Sequence, residues 1–238
     1  MGAWVHPIYS LAHLGIVAWL VYTLRNSECR EIRCAAAIAA ITAAGLVYDN
    51  GLLAAGRFVG LGDTLKMLSH PRYVLHAVVT PMMIFAMVQI AGAAGIGFAQ
   101  RRTVRVGAGA LAMALIPIGV FEDLVGLRLY PACFQGIVRY SRSVAESALC
   151  SPEQAVVTSA GPGAASLLCV FTVLALGFML WRQRGWPWSF LTGLVMFIAA
   201  ALPPSRFGLL PGNGGEVIFV AGFAAAAARF ARRRNQSA

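Results

Sequence analysis

The sequence predicts an all-α, polytopic integral membrane protein with seven transmembrane helices, and composition is the first reason. Of its 238 residues, 59% are hydrophobic and only 12% are charged, whereas soluble domains typically carry about 25% charged residues. The mean hydropathy is +0.72. Seven segments each hold the roughly 20 largely apolar residues that a spanning helix needs. These segments occupy most of the chain, which predicts a single domain over residues 1–238.

Short polar or turn-forming segments separate the seven spans. The first span has no Lys or Arg before it and no small-residue cleavage site after it, so we interpret it as retained rather than removed. Ser69-His70-Pro71 predicts the start of the third helix, because proline is tolerated in a first helical turn. Residues 57–72 then form an interfacial or re-entrant connector, and Gly161-Pro162-Gly163 interrupts the fifth span. The spans cover about residues 3–24, 34–56, 72–97, 106–130, 155–181, 187–203 and 214–230.

The distribution of positive charge predicts the orientation, because cytoplasmic loops are enriched in Lys and Arg. With the N-terminus outside, twelve of the 19 basic residues lie on the cytoplasmic side and seven lie outside. The prediction is an N-terminus outside, a cytoplasmic C-terminus and a location in the cell inner (plasma) membrane. Only one cation is a Lys, and the clusters fall between apolar runs, so the net charge of +10 indicates topology and not nucleic-acid binding. The twelve are Arg25, Arg30, Arg33, Arg101, Arg102, Arg105, Arg182, Arg184, Arg229, Arg232, Arg233 and Arg234.

Two of the five cysteines fall in the long exterior loop of residues 131–154. A disulfide between Cys133 and Cys150 is permitted in an exterior compartment, and the sequence leaves open whether it forms. Cys29, Cys34 and Cys169 are expected to be free thiols.

Ionisable side chains interrupt the apolar spans mainly toward the outer leaflet. Acids inside a membrane are costly and are functional hypotheses by default, whereas the inner halves of the spans are almost purely apolar. We therefore expect an outward-facing cavity shared by Asp49 and Glu122. The candidate catalytic residues are Asp49, His76, Glu122, Asp123 and Glu216, and the candidate substrate-binding residues are Tyr48, Asn50, Arg72, Tyr73 and Phe121.

Each candidate also has a structural interpretation. An ion pair of Asp49 with Arg57 or Arg72 would lock two spans together, and Glu216 would complement a helix N-terminus. Neighbouring helical residues point about 100° apart, so at most one of the adjacent acids at 122 and 123 is expected to face the site. His6 is expected at the interface and His13 as a satisfied core residue.

Several activities are excluded by missing residues. The only Lys is Lys66 in a connector, so no Schiff base to retinal can form in the last span. The seventh span has no His for the zinc of ceramidase-like hydrolases, and the zincin and serine-hydrolase motifs are absent. No cofactor and no metal is expected, although a metal held by His70, His76 and nearby acids stays open without a diagnostic spacing.

The pattern favours an enzyme that uses carboxylic acids for acid–base chemistry on a lipophilic substrate. Burial raises a carboxyl pKa, so that a buried acid can keep its proton at neutral pH. An aromatic residue precedes the acid in Tyr48-Asp49 and in Phe121-Glu122, and aromatic faces stabilise a developing carbocation. His76 with an opposing acid would take the final proton. These parts suit protonation-initiated cyclisation or isomerisation of an isoprenoid, as an isomerase or lyase.

In length, span count and placement of intramembrane acids, the whole chain resembles the small membrane-bound terpene and meroterpenoid cyclases. The resemblance implies a seven-span fold and acid catalysis, with Asp49, Glu122 and Glu216 as the matching positions. The chain departs from the family at its Asn-x-x-Trp-Glu type of motif, where Tyr48-Asp49-Asn50 stands instead.

Two alternatives are left open. One is an outward-facing lipid hydrolase or phosphatase, metal-dependent or not, in which His76 and Asp49 activate water. The other is a non-catalytic transporter or membrane-complex subunit; no inverted repeat is visible. The expected partners are a lipophilic small molecule and the lipid bilayer, with the oligomeric state unknown. The cations that would hold an anionic headgroup of a lipid are Arg57, Lys66, Arg72, Arg139 and Arg142.

Overall fold

Helices account for most of the computed structural model, which describes residues 2–158 and 163–231. The fold-class prediction of an all-α protein is confirmed for this part of the chain, with one short β-hairpin in addition. Gly161 and Pro162 of the predicted interruption, and Arg232, Arg233 and Arg234, lie outside the described residues. The elements are α1 (Gly2–Asn26), α2 (Arg30–Val59), α3 (Asp63–Ala93), α4 (Gly97–Gln100), α5 (Arg102–Leu124), β1 (Tyr130–Phe134), β2 (Ile137–Ser141), α6 (Ala164–Arg184), α7 (Trp188–Ala201), α8 (Pro204–Phe207) and α9 (Leu210–Phe230).

Five of the described helices, α1, α2, α3, α5 and α6, are long and apolar enough to cross a membrane. Their lengths of 21 to 31 residues correspond to at least the roughly 30 Å of a bilayer's hydrocarbon core at about 1.5 Å per residue. The apolar helix α7 is shorter, at 14 residues. By helix length and composition the protein is an all-α membrane protein.

Helix α3 begins at Asp63 and continues through Pro71, so the predicted helix start at Ser69-His70-Pro71 is wrong. A proline inside a helix lacks one N–H donor and disturbs the preceding turn. Side chains donate to carbonyls of that turn: Ser69 Oγ to Leu65 O at 2.8 Å and Tyr48 Oη to Leu68 O at 2.7 Å. The carbonyl that Pro71 leaves without an N–H donor is that of Met67, four residues earlier; the two bonds contact the turn around it, and most of the predicted connector forms the first turns of α3.

Small residues allow the helices to pack closely. In α2, Ala35, Ala36, Ala39 and Ala43 are buried in the main core, where α1, α3 and α9 pack against this helix. Small side chains let helix backbones approach each other in membranes. In α5, a Cβ added to Gly119 would lie 3.0 Å from the carbonyl oxygen of Ala77 in α3. This close approach brings the C-terminal part of α5 against the middle of α3, beside the site described below.

The two ends of the bundle differ in character. At one end, Glu31 pairs with Arg105 at 2.7 Å, and the Arg184 guanidinium donates to Gly95 O at 2.5 Å. Ser27 Oγ donates to Ala231 O at 3.1 Å, so the C-terminal end of α9 lies there too. The candidate site residues are at the opposite end.

A β-hairpin covers part of that opposite end. Strands β1 and β2 pair antiparallel across the two-residue turn Gln135-Gly136, in which both residues have positive φ angles of 48° and 81°. That conformation matches the twist of tight hairpins. The Cys133–Cys150 disulfide, which the sequence left open, ties β1 to the loop after β2. We call residues 130–157 the cap.

Removing the disulfide is expected to loosen the cap. A Cys133→Ser, Cys150→Ser double variant loses a crosslink across 17 residues of sequence separation, which stabilises by about 3 kcal/mol in the loop-entropy model. We expect a lower melting temperature in detergent and faster hydrogen exchange in β1 and β2. Cys34→Ser is the matched control, since Cys34 is a free thiol. Equal exchange in the double variant and the control would contradict this account.

Candidate functional site

A polar cavity of about 210 Å³ lies between α2, α3 and α9 at the capped end of the bundle. Asp123 from α5 and Arg142 from the cap complete its wall. The structure thus brings together side chains from five distant segments of the chain. The predicted site residues that line it are Asp49, Arg72, Tyr73, His76, Asp123 and Glu216.

An apolar compartment of about 90 Å³ continues from this cavity toward the bundle interior. Met83, Met196 and Phe219 are among the residues that line it. His76 and Glu216 line both spaces. The two compartments together form an amphipathic site, with the imidazole and the carboxyl at the boundary between polar and apolar walls.

Two acids of the polar compartment are paired with arginines. Arg72 Nε donates to Asp49 Oδ1, and this pair joins α3 to α2. Arg142 Nη1 donates to Asp123 Oδ1 at 2.5 Å and joins the cap to α5. Charge-assisted hydrogen bonds of this kind stabilise the ionised carboxylate. The Asp49–Arg72 pair is the one that the structural interpretation of Asp49 anticipated.

A buried hydrogen-bond network of His6, Asn50 and Asn213 lies next to the Asp49–Arg72 pair. We call it the amide network. Asn50 is fully buried; its Nδ2 donates to Leu46 O at 3.1 Å, so its Oδ1 is the acceptor. His6 Nδ1 donates to this oxygen at 2.9 Å and Asn213 Nδ2 at 3.0 Å. Asn213 Nδ2 also lies 3.3 Å from Asp49 Oδ2. The network therefore connects α1, α2 and α9 in one place.

His6 and Asn213 are site residues that sequence reasoning missed. His6 was expected at the interface, but it is fully buried. The segment around Asn213 resembles a glycine-rich loop in sequence, yet it forms the first turns of α9. Asn213 and Glu216 are three residues apart and therefore share one helix face. That spacing was the available signal for placing both at the cavity.

His13 differs from its predicted role as a satisfied core residue. It is fully buried, and neither ring nitrogen has a hydrogen-bond partner among the described residues.

Glu216 is the acid of the cavity that has no cation or hydrogen-bond partner within the part of the chain that the structure describes. His76, by contrast, is held by two hydroxyls. Its Nε2 lies 3.0 Å from Ser166 Oγ at the start of α6, and its Nδ1 lies 3.4 Å from Thr80 Oγ1. Ser166 lines the apolar compartment and was not among the predicted residues. The unpaired acid and the oriented imidazole face the same space.

Four predicted residues do not line the cavity. Glu122 is exposed, and its Oε2 accepts a hydrogen bond from the Ala164 backbone N–H at 3.3 Å, at the N-terminus of α6. Phe121 is 69% exposed. Tyr48 donates to the α3 backbone, and Asn50 lies behind the wall in the amide network.

The expectation that Asp49 and Glu122 face a common cavity is therefore not met. Helical geometry explains the difference, because adjacent side chains of α5 point in different directions. Asp123 is the member of the pair that faces inward.

No group of three His, Cys, Asp or Glu side chains within residues 2–158 and 163–231 is arranged to hold a metal ion. In comparisons with known proteins, the chain matches no protein-family model, no curated protein and no solved structure. The functional argument therefore depends on the geometry of the site.

Replacing Asn50 is expected to destabilise the capped end. Asn50→Leu leaves the buried His6 and Asn213 donors without their shared acceptor, and each unsatisfied buried group costs about 1–3 kcal/mol. We expect a clearly lower melting temperature in detergent. Asn26→Leu is the control, because Asn26 is exposed and bonds only to the carbonyl of its own helix. An Asn50→Leu protein as stable as the control would show that the network contributes no stability.

Proposed function

We propose that the protein is an integral-membrane enzyme that transfers protons to and from a lipophilic substrate held in the amphipathic site. The observation that carries this proposal is the position of Glu216, an acid without a cation partner where the polar and apolar compartments meet. An acid in an ion pair has its charge stabilised and is a poor proton donor. Glu216 is therefore a better candidate donor than Asp49 or Asp123, although the sequence favoured Asp49 and the acids at 122 and 123 over it.

The proposed reaction is isomerisation or cyclisation of an isoprenoid. Neutral Glu216 donates its proton to one carbon of a double bond, and the neighbouring carbon becomes a carbocation. Phe219 lies one helical turn further along α9 and lines the apolar compartment, where an aromatic face stabilises a cation. His76 then removes a proton from an adjacent carbon, and a new double bond forms. The product has the same formula as the substrate, and no oxidant or reductant is needed.

The other polar residues would position the substrate and keep the site in shape. Asp49 and Asp123 hold Arg72 and Arg142 at the polar end of the cavity. The resemblance to membrane-bound terpene cyclases supports the same chemistry at the level of size and acid placement. Of the three positions that the resemblance suggested, Asp49 and Glu216 line the cavity and Glu122 does not.

The topology proposed with this function has seven spans, with α7 and α9 added to the five long helices. The capped end faces the exterior and the Arg-rich end faces the cytoplasm, in the cell inner (plasma) membrane. The Arg side chains at the uncapped end support this orientation, as does the disulfide in the cap, because disulfides persist in oxidising compartments.

The proposed orientation predicts the behaviour of two reporter fusions, one on each side of the membrane. A green fluorescent protein fused after Ala238 is expected to fluoresce, because that end is cytoplasmic. Alkaline phosphatase inserted after Glu153 in the cap is expected to be active, because it requires an oxidising compartment. Exchanging the two reporters supplies the control. Active phosphatase at Ala238 together with inactive phosphatase at Glu153 would contradict the proposed orientation and show that the capped end faces the cytoplasm.

Glu216→Gln is expected to abolish product formation. The amide has nearly the same shape but no proton to donate, and general acid catalysis typically contributes about 100- to 10,000-fold. The assay compares isoprenoids and lipids, by mass spectrometry, in extracts of cells expressing the wild type and the variant. Glu153→Gln, an exposed acid of the cap, is the matched control and should retain the product. A wild-type product that persists unchanged in Glu216→Gln would reject Glu216 as the acid.

A second candidate function is a lipid hydrolase, and the 3.0 Å contact between His76 Nε2 and Ser166 Oγ favours it. In that reaction His76 would take the hydroxyl proton while Ser166 attacks an ester, as in serine hydrolases on other folds. Ser166→Ala separates the two functions in the same assay. Proton transfer by Glu216 and His76 would continue in this variant, whereas hydrolysis through a serine nucleophile would stop.

A further inference from the structure

Two arginines flank one aromatic ring at the polar end of the cavity, and a third arginine lies near them. The Arg72 Cζ atom lies 6.0 Å from the centroid of the Tyr73 ring, and the Arg142 Cζ atom lies 5.7 Å from it. Arg139, on β2, is close enough to Arg72 and Asp49 for their charges to act on it. The three guanidinium groups come from α3 and the cap, which meet here.

With Glu216 in the neutral form that the proposed function requires, the two remaining acids of the cavity do not balance this positive charge. Asp49 pairs with Arg72 and Asp123 pairs with Arg142, but Arg139 has no ion-pair partner among the described residues. Its side chain is only 6% exposed, and its Nε and Nη1 atoms lack hydrogen-bond partners. An uncompensated buried charge is costly. Burial lowers the pKa of Arg139 to about 10, and repulsion by Arg72 acts in the same direction, so the group stays charged at neutral pH.

The other outer cations that the sequence suggested for an anion are placed differently. The Arg57 guanidinium stacks on Trp4 and Phe58, with its Cζ atom 5.0 Å and 4.5 Å from the two ring centroids. Lys66 is exposed on the first turns of α3. Neither lines the cavity. Arg139 does not line the cavity either, but it is close enough to Arg72 and Asp49 for their charges to act on it, so it is the source of the uncompensated charge beside the site.

We propose that the substrate carries a phosphate-type anionic headgroup, which contacts Arg72 and Arg142 and is attracted by the uncompensated charge of Arg139, while its apolar chain occupies the inner compartment. This inference rests on the proposed function, because it assigns a substrate class to the same site. Each arginine offers several N–H donors, and its aspartate partner takes one or two of them. A tetrahedral phosphate accepts hydrogen bonds from several guanidinium groups at once.

The apolar compartment distinguishes a lipid phosphate from free phosphate. It shares Thr42, Leu46, His76, Thr80 and Glu216 with the polar cavity and is otherwise lined mainly by apolar residues such as Met83 and Phe219. An isoprenyl phosphate with its headgroup at Arg72 would extend its chain past Glu216. That placement brings a double bond to the candidate acid, whereas inorganic phosphate would leave the inner space without a ligand.

The test is equilibrium binding to the purified full-length protein in a phosphate-free maltoside detergent. The three probes are geranyl phosphate, geraniol and inorganic phosphate. We expect geranyl phosphate to bind at least about tenfold more tightly than either other probe, in line with the strength of hydrogen bonds to charged groups. Equal affinity for geraniol would reject the headgroup contact, and equal affinity for inorganic phosphate would reject the lipid chain.

Variants of the arginines test which side chains bind the phosphate headgroup. Arg139→Gln, and the double variant Arg142→Gln, Asp123→Asn, are each expected to weaken geranyl phosphate binding about tenfold and to leave geraniol binding unchanged. The double variant removes both members of an ion pair, so no buried charge is left alone. Arg206→Gln, which removes an exposed cation stacked on Phe207, is the control. Unchanged phosphate binding in the folded Arg139 and Arg142 variants would overturn the proposal.

Glu216→Gln separates this inference from the proposed function. The variant lacks the proton donor but keeps the arginines, so it should bind geranyl phosphate as the wild type does. If geranyl phosphate binding depends on the arginines but product formation does not depend on Glu216, the ligand class is retained and the proton-transfer reaction is rejected. If product formation depends on Glu216 but geranyl phosphate binding does not depend on the arginines, the proposed reaction is retained and the proposed phosphate headgroup is rejected.

Discussion

The capped end of the protein depends on the carboxylate of Asp49. It accepts a charge-assisted hydrogen bond from Arg72 on one side and lies within hydrogen-bond distance of Asn213 on the other. The consecutive helices α2 and α3 and the distant helix α9 thus meet at a single side chain. In an apolar environment a charged group without partners is strongly unfavourable. The requirement to satisfy this one carboxylate therefore constrains where α3 and α9 must lie relative to α2.

The same requirement separates the polar residues into two kinds. Most of them have all or part of their hydrogen-bonding capacity used by the protein, as in the His6–Asn50–Asn213 network. Others have unused capacity: the Glu216 carboxyl and the Arg139 guanidinium, and also the His13 imidazole and the Nε2 atom of His6, neither of which lines the cavity. A buried polar network that is fully bonded contributes a fixed shape, whereas unused capacity can be directed to a ligand. This difference, more than the number of acids, distinguishes supporting residues from candidate reacting ones.

The helical fold and much of the site were predictable from sequence because ionisable residues are rare in apolar helices. Asp49, His76, Asp123 and Glu216 were identified for that reason, and all four line the cavity. Ser166 and Asn213 were not, since serine and asparagine are common in loops and their roles depend on partners far along the chain. The hairpin was also missed, because two five-residue strands give little periodicity.

Pro71 misled the prediction of α3 because a proline is compatible with a first helical turn but does not require one. A proline can also lie inside a longer helix, as Pro71 and Pro81 do in α3. The Asp49–Arg72 pair was one of the two pairs that the sequence suggested for Asp49, whereas the Asp123–Arg142 pair was not suggested; both pairs change which carboxyl is available for chemistry.

The position of Arg142 has a consequence for assembly. This residue lies just after β2, in a segment ordered by the hairpin and by the Cys133–Cys150 crosslink. Its partner Asp123 belongs to the helical bundle. The helices alone therefore form an incomplete site, in which Asp123 lacks its cation. The cavity is complete only when the cap is docked, so a small element outside the helical bundle supplies one wall of it.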